Sequence, residues 1–208
     1  MSTKRKLLFS MLSLVLVILV MGVATFSILS ATQQYITANL SLIYNADNVW
    51  ADVMGKYSVN GGSFVSLVNS AGGNIVSFDG TEDLSTKTLN NNGSNISLSP
   101  TVKSVLFIYT FTNKNPSSGG TAMKVIFNDT SSSSNLTIKY FGSIGTEPTL
   151  AQAKAGSSTP KIELKSITGG QSGYVAIYME IVSIYSDSSY TSSGATAGIT
   201  SDISSLPS

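Results

Sequence analysis

Carboxylates are the only side chains in this sequence that could carry acid–base or metal chemistry. The 208 residues include no histidine and no cysteine, which excludes Ser–His and Cys–His nucleophilic pairs and zinc sites built on those ligands. The densest acidic group is Asp79, Glu82 and Asp83. It suits a solvated turn, a Ca²⁺ site with oxygen ligands or a glycosidase carboxylate pair. Because the spacing lacks the regular Asp-x-Asp-x-Asp-Gly pattern, we favour the solvated turn.

Glu180 is an acidic residue inside an otherwise apolar segment. Period-two alternation places it on the face opposite Met179 and Ile181, which predicts a solvent-facing side chain. The alternative is an intramolecular isopeptide bond to a lysine, which would serve in place of disulfides in an exported domain. We therefore expect no enzymatic activity and no metal, and we rank a carboxylate hydrolase last among the candidate functions.

Five Asn-x-Ser/Thr sequons could accept N-linked glycans. The chain is rich enough in Asn, Ser and Thr for composition alone to produce a similar number, so placement matters more than count. Two sequons lie in one polar segment and two flank another, which predicts exposed, modifiable positions in a host that glycosylates. The five acceptors are Asn39, Asn92, Asn95, Asn128 and Asn135.

The charge composition excludes a nucleic-acid partner. The chain has 12 Lys+Arg against 11 Asp+Glu, a net charge of +1. Without Lys4, Arg5 and Lys6 the balance is 9 against 11, or −2, so no basic field remains for phosphates. Only 11% of the residues are charged, so the surface is built from hydroxyls and amides.

The N-terminus has the layout of a secretory signal peptide. Three basic residues precede an uncharged stretch from Leu7 to Ala46. We predict a signal peptide over residues 1–24, cleaved after Ala24 or as late as residue 31, so that the protein meets the membrane only during export. The alternative is an uncleaved anchor over Leu7–Ala31, which is long enough to span a bilayer.

The pattern changes to period two after the apolar stretch. One face carries apolar or aromatic side chains at every second position, as in a half-buried strand. These residues are Ile36, Ala38, Leu40, Leu42 and Tyr44. We assign residues 25–46 to an N-terminal tail and residues 47–208 to one globular domain. Trp50, just after the tail, could form a sugar-binding platform or anchor a subunit interface.

The remaining chain predicts an all-β, antiparallel sandwich of eight or nine short strands with turn residues between them. The segment Val105–Phe111 is apolar on both faces, which is typical of a central strand covered on both sides. We predict Met123–Phe127 and Leu136–Phe141 to pair with each other. One short helix is predicted over Leu150–Ala155, with the preceding Thr146-Glu147-Pro148 offering Thr146 as its N-cap. The residues from Ser186 onward are predicted to form a partly ordered end with one edge strand.

This organisation resembles the archaeal thread pilins and, more distantly, TasA/camelysin-type matrix fibre proteins. The resemblance rests on a signal segment, the alternating tail and a Cys-free domain rich in Ser, Thr and Asn, with Val105–Asn113, Met123–Asp129 and Asn135–Tyr140 as the sheet core. It implies an Ig-like or pilin-like sandwich whose N-terminal strand inserts into the next subunit, in glycosylated filaments.

The function that follows is a structural subunit of an extracellular surface filament. A donated strand satisfies backbone groups at an open sheet edge while alternate side chains fill apolar pockets. A head-to-tail contact of this kind gives an open fibre of identical subunits, serving adhesion to other cells or surfaces, or biofilm formation. The alternative is a membrane-anchored adhesin or sugar-binding module whose tail strand folds back into its own sheet.

Overall fold

The structure, a computed structural model, describes residues 11–21, 34–44, 49–80, 85–99, 101–116, 121–131, 135–182 and 195–202. These ranges contain a helix α1 over residues 11–21, a short helix α2 and fourteen strands. The elements after α1 are β1 (Gln34–Ile36), β2 (Asn39–Tyr44), β3 (Trp50–Val59), β4 (Phe64–Ser66), β5 (Val68–Asn69), β6 (Ile75–Asp79), β7 (Ser85–Asn90), β8 (Ile96–Leu98), β9 (Ser104–Asn113), β10 (Met123–Asp129), β11 (Leu136–Ile144), α2 (Leu150–Lys154), β12 (Lys161–Ile167), β13 (Ser172–Ile181) and β14 (Ala195–Ser201).

The fold is all-β, as predicted, and the strands form two large sheets and a small ribbon. Sheet I has the order β12-β10-β14-β2-β7-β5. Sheet II has the order β11-β13-β9-β3-β4, with β6 also paired to β3. The ribbon consists of β1 and β8. Every pairing is antiparallel except that between β2 and β14, which run parallel. Parallel neighbours need a long connection, and here nearly the whole domain separates them.

The inward faces of both sheets share one hydrophobic core. β9 contributes Val105, Phe107, Tyr109 and Phe111 to this core, all almost fully buried. Its alternate residues Leu106 and Ile108 point the other way. β9 is therefore central and covered on both faces, as its composition predicts.

Helix α2 lies on the outer face of sheet II against β11 and β13, and its buried side packs with residues of β9 and β13. Ala153 packs there with Leu106 and Tyr178 in a second buried cluster. The predicted helix is confirmed, but its N-cap is Thr149 rather than Thr146. The Thr149 side chain accepts from the Gln152 N–H while the Gln152 side chain accepts from the Thr149 N–H. This reciprocal capping box satisfies helix-end donors that would otherwise lack partners.

Several sequence predictions of individual strands are wrong. The sequence patterns reveal no strand between Asp79 and Pro100, yet this segment contains β7 and β8. In β7 only Leu89 is a buried apolar residue, so period-two patterning does not reveal the strand. β10 and β11 do not pair with each other, because β10 lies in sheet I and β11 in sheet II. The chain crosses between the sheets at that connection.

β14 and the tail also differ from prediction. β14 is not an edge strand but lies between β10 and β2. The alternating tail is two strands rather than one, because Thr37 and Ala38 separate β1 from β2. Among the described residues no helix is both long and apolar enough to cross a membrane.

Candidate functional site

The strand β2 is the structural centre of sheet I. One edge of β2 pairs in parallel with β14, with Leu40 opposite Ala195. The other edge pairs antiparallel with β7, with Leu40 opposite Leu89. Without β2, sheet I would consist of two separate pieces, β12-β10-β14 and β7-β5, each with an unpaired edge. We call the position between β14 and β7 the strand slot.

The described inward-facing side chains of β1 and β2, with that of Ala38 between them, are buried in the hydrophobic core. Ile36, Leu40 and Leu42 have no exposed surface, and Ala38 is 5% exposed. The side chain of Ile43, which points outward, is 45% exposed. The predicted apolar face is therefore confirmed for these four residues, while the side chain of Tyr44 lies outside the described part of the structure. In the single chain described here, β2 fills the slot of its own sheet.

The β14 wall of the slot is fixed by a buried carboxylate. Asp202, directly after β14, is 3% exposed. Its Oδ2 accepts hydrogen bonds from the Ser166 N–H at 2.7 Å and the Ser166 hydroxyl at 3.2 Å. Its own N–H donates to the Ala122 carbonyl at 2.7 Å. Ser166 has a φ of 57° and lies at an irregularity of β12. Through its carboxylate and its N–H, Asp202 links the end of β14 to β12 and to the residue that precedes β10.

A second buried carboxylate lies where β2 begins. Asp129 is 3% exposed and accepts the Tyr140 hydroxyl at 2.9 Å and the Ser131 N–H at 2.8 Å. It borders a small crevice that Ala38 and Tyr109 also line. Burial, and to a lesser extent the Asp129 charge, raise the pKa of Tyr109 well above its usual range. The Tyr109 phenol therefore stays protonated at any ordinary pH.

The five sequons lie at one end of sheet I, although they are far apart in sequence. Asn39 begins β2 and is opposite Asn90, the last residue of β7. Asn92 and Asn95 follow directly and are exposed. Asn128 is exposed near the end of β10, and the connection from there leads to Asn135, which is only 8% exposed. β14 and β2 begin at this same end.

The acidic residues that the structure describes are not gathered into a site. Asp79 ends β6 and is opposite Trp50 of β3, while Glu82 and Asp83 lie outside the described residues. Glu180 is exposed on sheet II, as predicted, between Thr137 and Ser104. Among the residues that the structure describes, no three acidic side chains lie close enough together to hold a metal ion.

The outer face of sheet II carries a groove that the sequence does not reveal. Its volume is about 330 Å³. The floor consists of two cross-strand rows on β3, β9 and β13. One row is Met54, Thr110 and Tyr174, and the next contains Thr112 and Ser172. The hydroxyls of Thr112 and Ser172 are 2.8 Å apart.

The charged side chains at the groove and beside it form two ion pairs, of which Lys56 and Glu147 line the groove itself. Lys56 Nζ lies 2.7 Å from a Glu147 carboxylate oxygen. Asp52, in the same row as Thr112, lies 3.2 Å from Lys114 Nζ. The formal charges around the groove therefore cancel. Trp50 is 52% exposed and lies on this same face of β3, two residues before Asp52, as expected from alternation.

Sequence reasoning identified Trp50 but missed the rest of the groove. Its residues come from four strands and two loops, and each of its strand residues looks like an ordinary outward-facing one. Only the register of β3, β9 and β13 brings them side by side. No family model and no curated protein matches the chain.

Proposed function

We propose that this protein is a structural subunit of an extracellular filament, polymerised head to tail by exchange of the tail strand. The observation that carries this proposal is the position of β2 in the middle of sheet I, paired on both edges. Any chain lacking an occupant of the strand slot exposes two unpaired edges and the apolar core beneath them. Such edges pair readily with a strand from another chain.

Residues 34–44 are suited to exchange between copies. They precede the body of the domain and join it only through residues 45–48, so the segment can leave its slot without threading through a loop. Exchange of an identical element preserves every contact, because the second copy supplies the same side chains. Such exchange is a low-cost route to assembly. The proposed architecture is a pilin-like sandwich with sheets I and II as its two layers.

The proposal places the glycans at one end of each subunit. Asn92, Asn95 and Asn128 are exposed there and are the proposed acceptors. Asn135 is buried, so we infer that it carries no glycan in the folded protein. Asn39 lies half-buried within β2. No cofactor other than these glycans is part of the proposal, and the signal peptide over residues 1–24 is cleaved during export.

The alternative is a cell-surface adhesin that works as a monomer. The observation that favours it is that β2 completes the sheet of its own chain in the structure described. The two functions share the same strand contacts and differ only in which copy provides the strand.

A truncation tests the filament proposal. A variant lacking residues 32–45 should neither fold stably nor form filaments, because the slot has no occupant. A synthetic peptide of residues 34–44 should restore cooperative unfolding. The matched control is the same peptide with Leu40 and Leu42 replaced by serine, which cannot fill the core and should not restore it. Filament formation by the truncated variant alone would reject the proposal.

A further inference from the structure

We propose that the groove on the outer face of sheet II binds a neutral saccharide. The inference is independent of strand exchange, because none of the described tail residues, 34–44, lines the groove. It deepens the adhesin alternative by naming the site and the chemical class of its ligand. It also applies to a filament, in which the outer face of sheet II carries the same side chains.

The first argument is the size and polarity of the groove. A volume of about 330 Å³ lies at the lower end of small-molecule sites, roughly 300–1,000 Å³. Its floor presents the hydroxyls of Thr110, Thr112 and Ser172, and its rim presents the Asn74 amide. Hydroxyls and amides both donate and accept hydrogen bonds, which matches a ligand whose own groups are hydroxyls.

The second argument is the charge balance. Lys56 is held by Glu147 at 2.7 Å, and Asp52 is held by Lys114 at 3.2 Å. No unpaired charge among these four selects an anion or a cation. A phosphate, a carboxylate or a metal ion would have to break one of these pairs, whereas a neutral polyol can bond to both members of a pair.

The third argument is the presence of flat apolar surfaces beside the hydroxyls. Tyr174 is half-buried and packs against the cluster beneath helix α2, so its ring is fixed in place. Met54, next to Thr110 in the same row, is 38% exposed. Trp50 is exposed on the same face of β3, four residues before Met54, and does not itself line the groove. Sugar rings have one face of C–H groups, which packs on aromatic rings while the hydroxyls at the edge bind polar groups.

The groove lies away from the glycan acceptors of its own subunit. The N–H of Val182, just after β13, donates to the carbonyl of Asn135, just before β11. The sequons therefore lie at the end of the domain where β13 finishes and β11 begins. Tyr174 lies six residues back along β13 from Glu180, or about 20 Å at a rise of about 3.3 Å per residue. This separation favours a source on another molecule, either a free or cell-surface glycan or the N-linked glycan of a second copy.

The sole tryptophan lies on the same face of sheet II as the groove and provides a readout. Trp50 is the only tryptophan of the chain, so its fluorescence reports on this face alone. The probes are maltose, cellobiose and α1,2-mannobiose, with glucuronic acid as the charged comparison. They are titrated into the full-length mature protein from a host that does not glycosylate. A second arm adds neutral glycans released from protein made in a glycosylating host.

We expect at least one neutral probe to give a saturable change in Trp50 fluorescence, and glucuronic acid to give none. Tyr174→Ala should weaken binding about tenfold through loss of the stacking surface, and Thr110→Val about two- to tenfold through loss of one hydrogen bond. Thr88→Val, the same change on β7 in sheet I, is the matched control and should leave binding unchanged.

The outcomes separate the two sources. Binding of a disaccharide assigns the groove to a free or cell-surface glycan, and binding of only the released glycans assigns it to a second copy. The inference is overturned if neither arm binds, or if Tyr174→Ala and Thr110→Val both bind as tightly as the unmodified protein. Circular dichroism of each variant shows whether it is folded, and Tyr174→Phe keeps the ring and should keep most of the affinity.

Discussion

Replacing Leu40 by alanine should destabilise the domain far more than replacing Ile43, although both residues lie in β2. Leu40 is fully buried between the two sheets, and Ile43 is 45% exposed on the outer side of sheet I. Truncating a buried leucine removes its transfer free energy and leaves a cavity, so the cost is about 2–5 kcal/mol. Truncating Ile43 removes only outward packing against the neighbouring strands, at about 1 kcal/mol or less.

The assay is thermal unfolding followed by far-ultraviolet circular dichroism. In a domain of this size each 1 kcal/mol lowers the Tm by about 2–4 °C. A loss of about 3 kcal/mol for Leu40→Ala therefore lowers the Tm by about 6–12 °C. Ile43→Ala should shift it by about 4 °C or less.

Equal shifts for the two variants, or a larger shift for Ile43→Ala, would refute the placement of β2. In filaments the same loss should appear as easier dissociation into subunits, since the strand then stabilises a contact between copies. The apparent stability of Leu40→Ala filaments should accordingly depend on protein concentration.

Two further predictions concern pH and glycosylation. The pKa of Tyr109 is raised in the folded state, so its contribution to stability is complete below the unfolded value of about 10 and is lost as the pH rises above it. The free energy of unfolding should therefore fall above about pH 10. It should fall less steeply in Tyr109→Phe than in the control Tyr35→Phe, which removes the hydroxyl of an exposed ring. Parallel pH curves for the two variants would contradict this prediction. Glycopeptide mass spectrometry should find glycans on Asn92, Asn95 and Asn128 but not on the buried Asn135, and an occupied Asn135 would contradict the assignment.

The inward faces of the long strands can be predicted from the sequence, because burial of one face places an apolar residue at every second position. Leu40 and Leu42 alternate with polar residues, and β9 is apolar on both sides because it lies between the core and helix α2. These patterns depend only on which face meets apolar surroundings, so they can be read without knowing the partner strands.

Strand partners and order are not available from the same patterns. β7 has one buried apolar residue, Leu89, yet it forms a wall of the strand slot. β14 is built from small residues such as Ala195, Ala197 and Gly198, which suit a tightly flanked interior position but resemble a linker in sequence. The pairing of β10 with β12 and β14 rather than β11 depends on the packing of the whole domain.

The groove was missed for a related reason. Its chemistry arises from side chains such as Thr110 and Tyr174 that become neighbours only through strand register. The ion pair of Lys56 and Glu147 joins residues 91 positions apart in sequence. The spacing of residues along one segment therefore does not predict such a site. Trp50 was identified because an exposed tryptophan is by itself a candidate binding residue.

The most direct test of strand exchange is a disulfide between β2 and its neighbour in the filament. Ile43 and Thr86 are opposite each other in the antiparallel pair of β2 and β7, and both side chains are exposed. Opposite residues have Cα atoms about 4.5–5.5 Å apart, a separation that a disulfide can bridge. Because the chain has no cysteine, the double variant Ile43→Cys/Thr86→Cys can form no other intramolecular bridge.

Filaments of this variant are oxidised, denatured and separated by gel electrophoresis without reductant. Strand exchange predicts a ladder of covalent multimers that collapses to a single monomer band on reduction. The single variants Ile43→Cys and Thr86→Cys should give no ladder. Monomers that carry an internal disulfide, with no multimers, would contradict the account, because they would show that each copy fills its own slot.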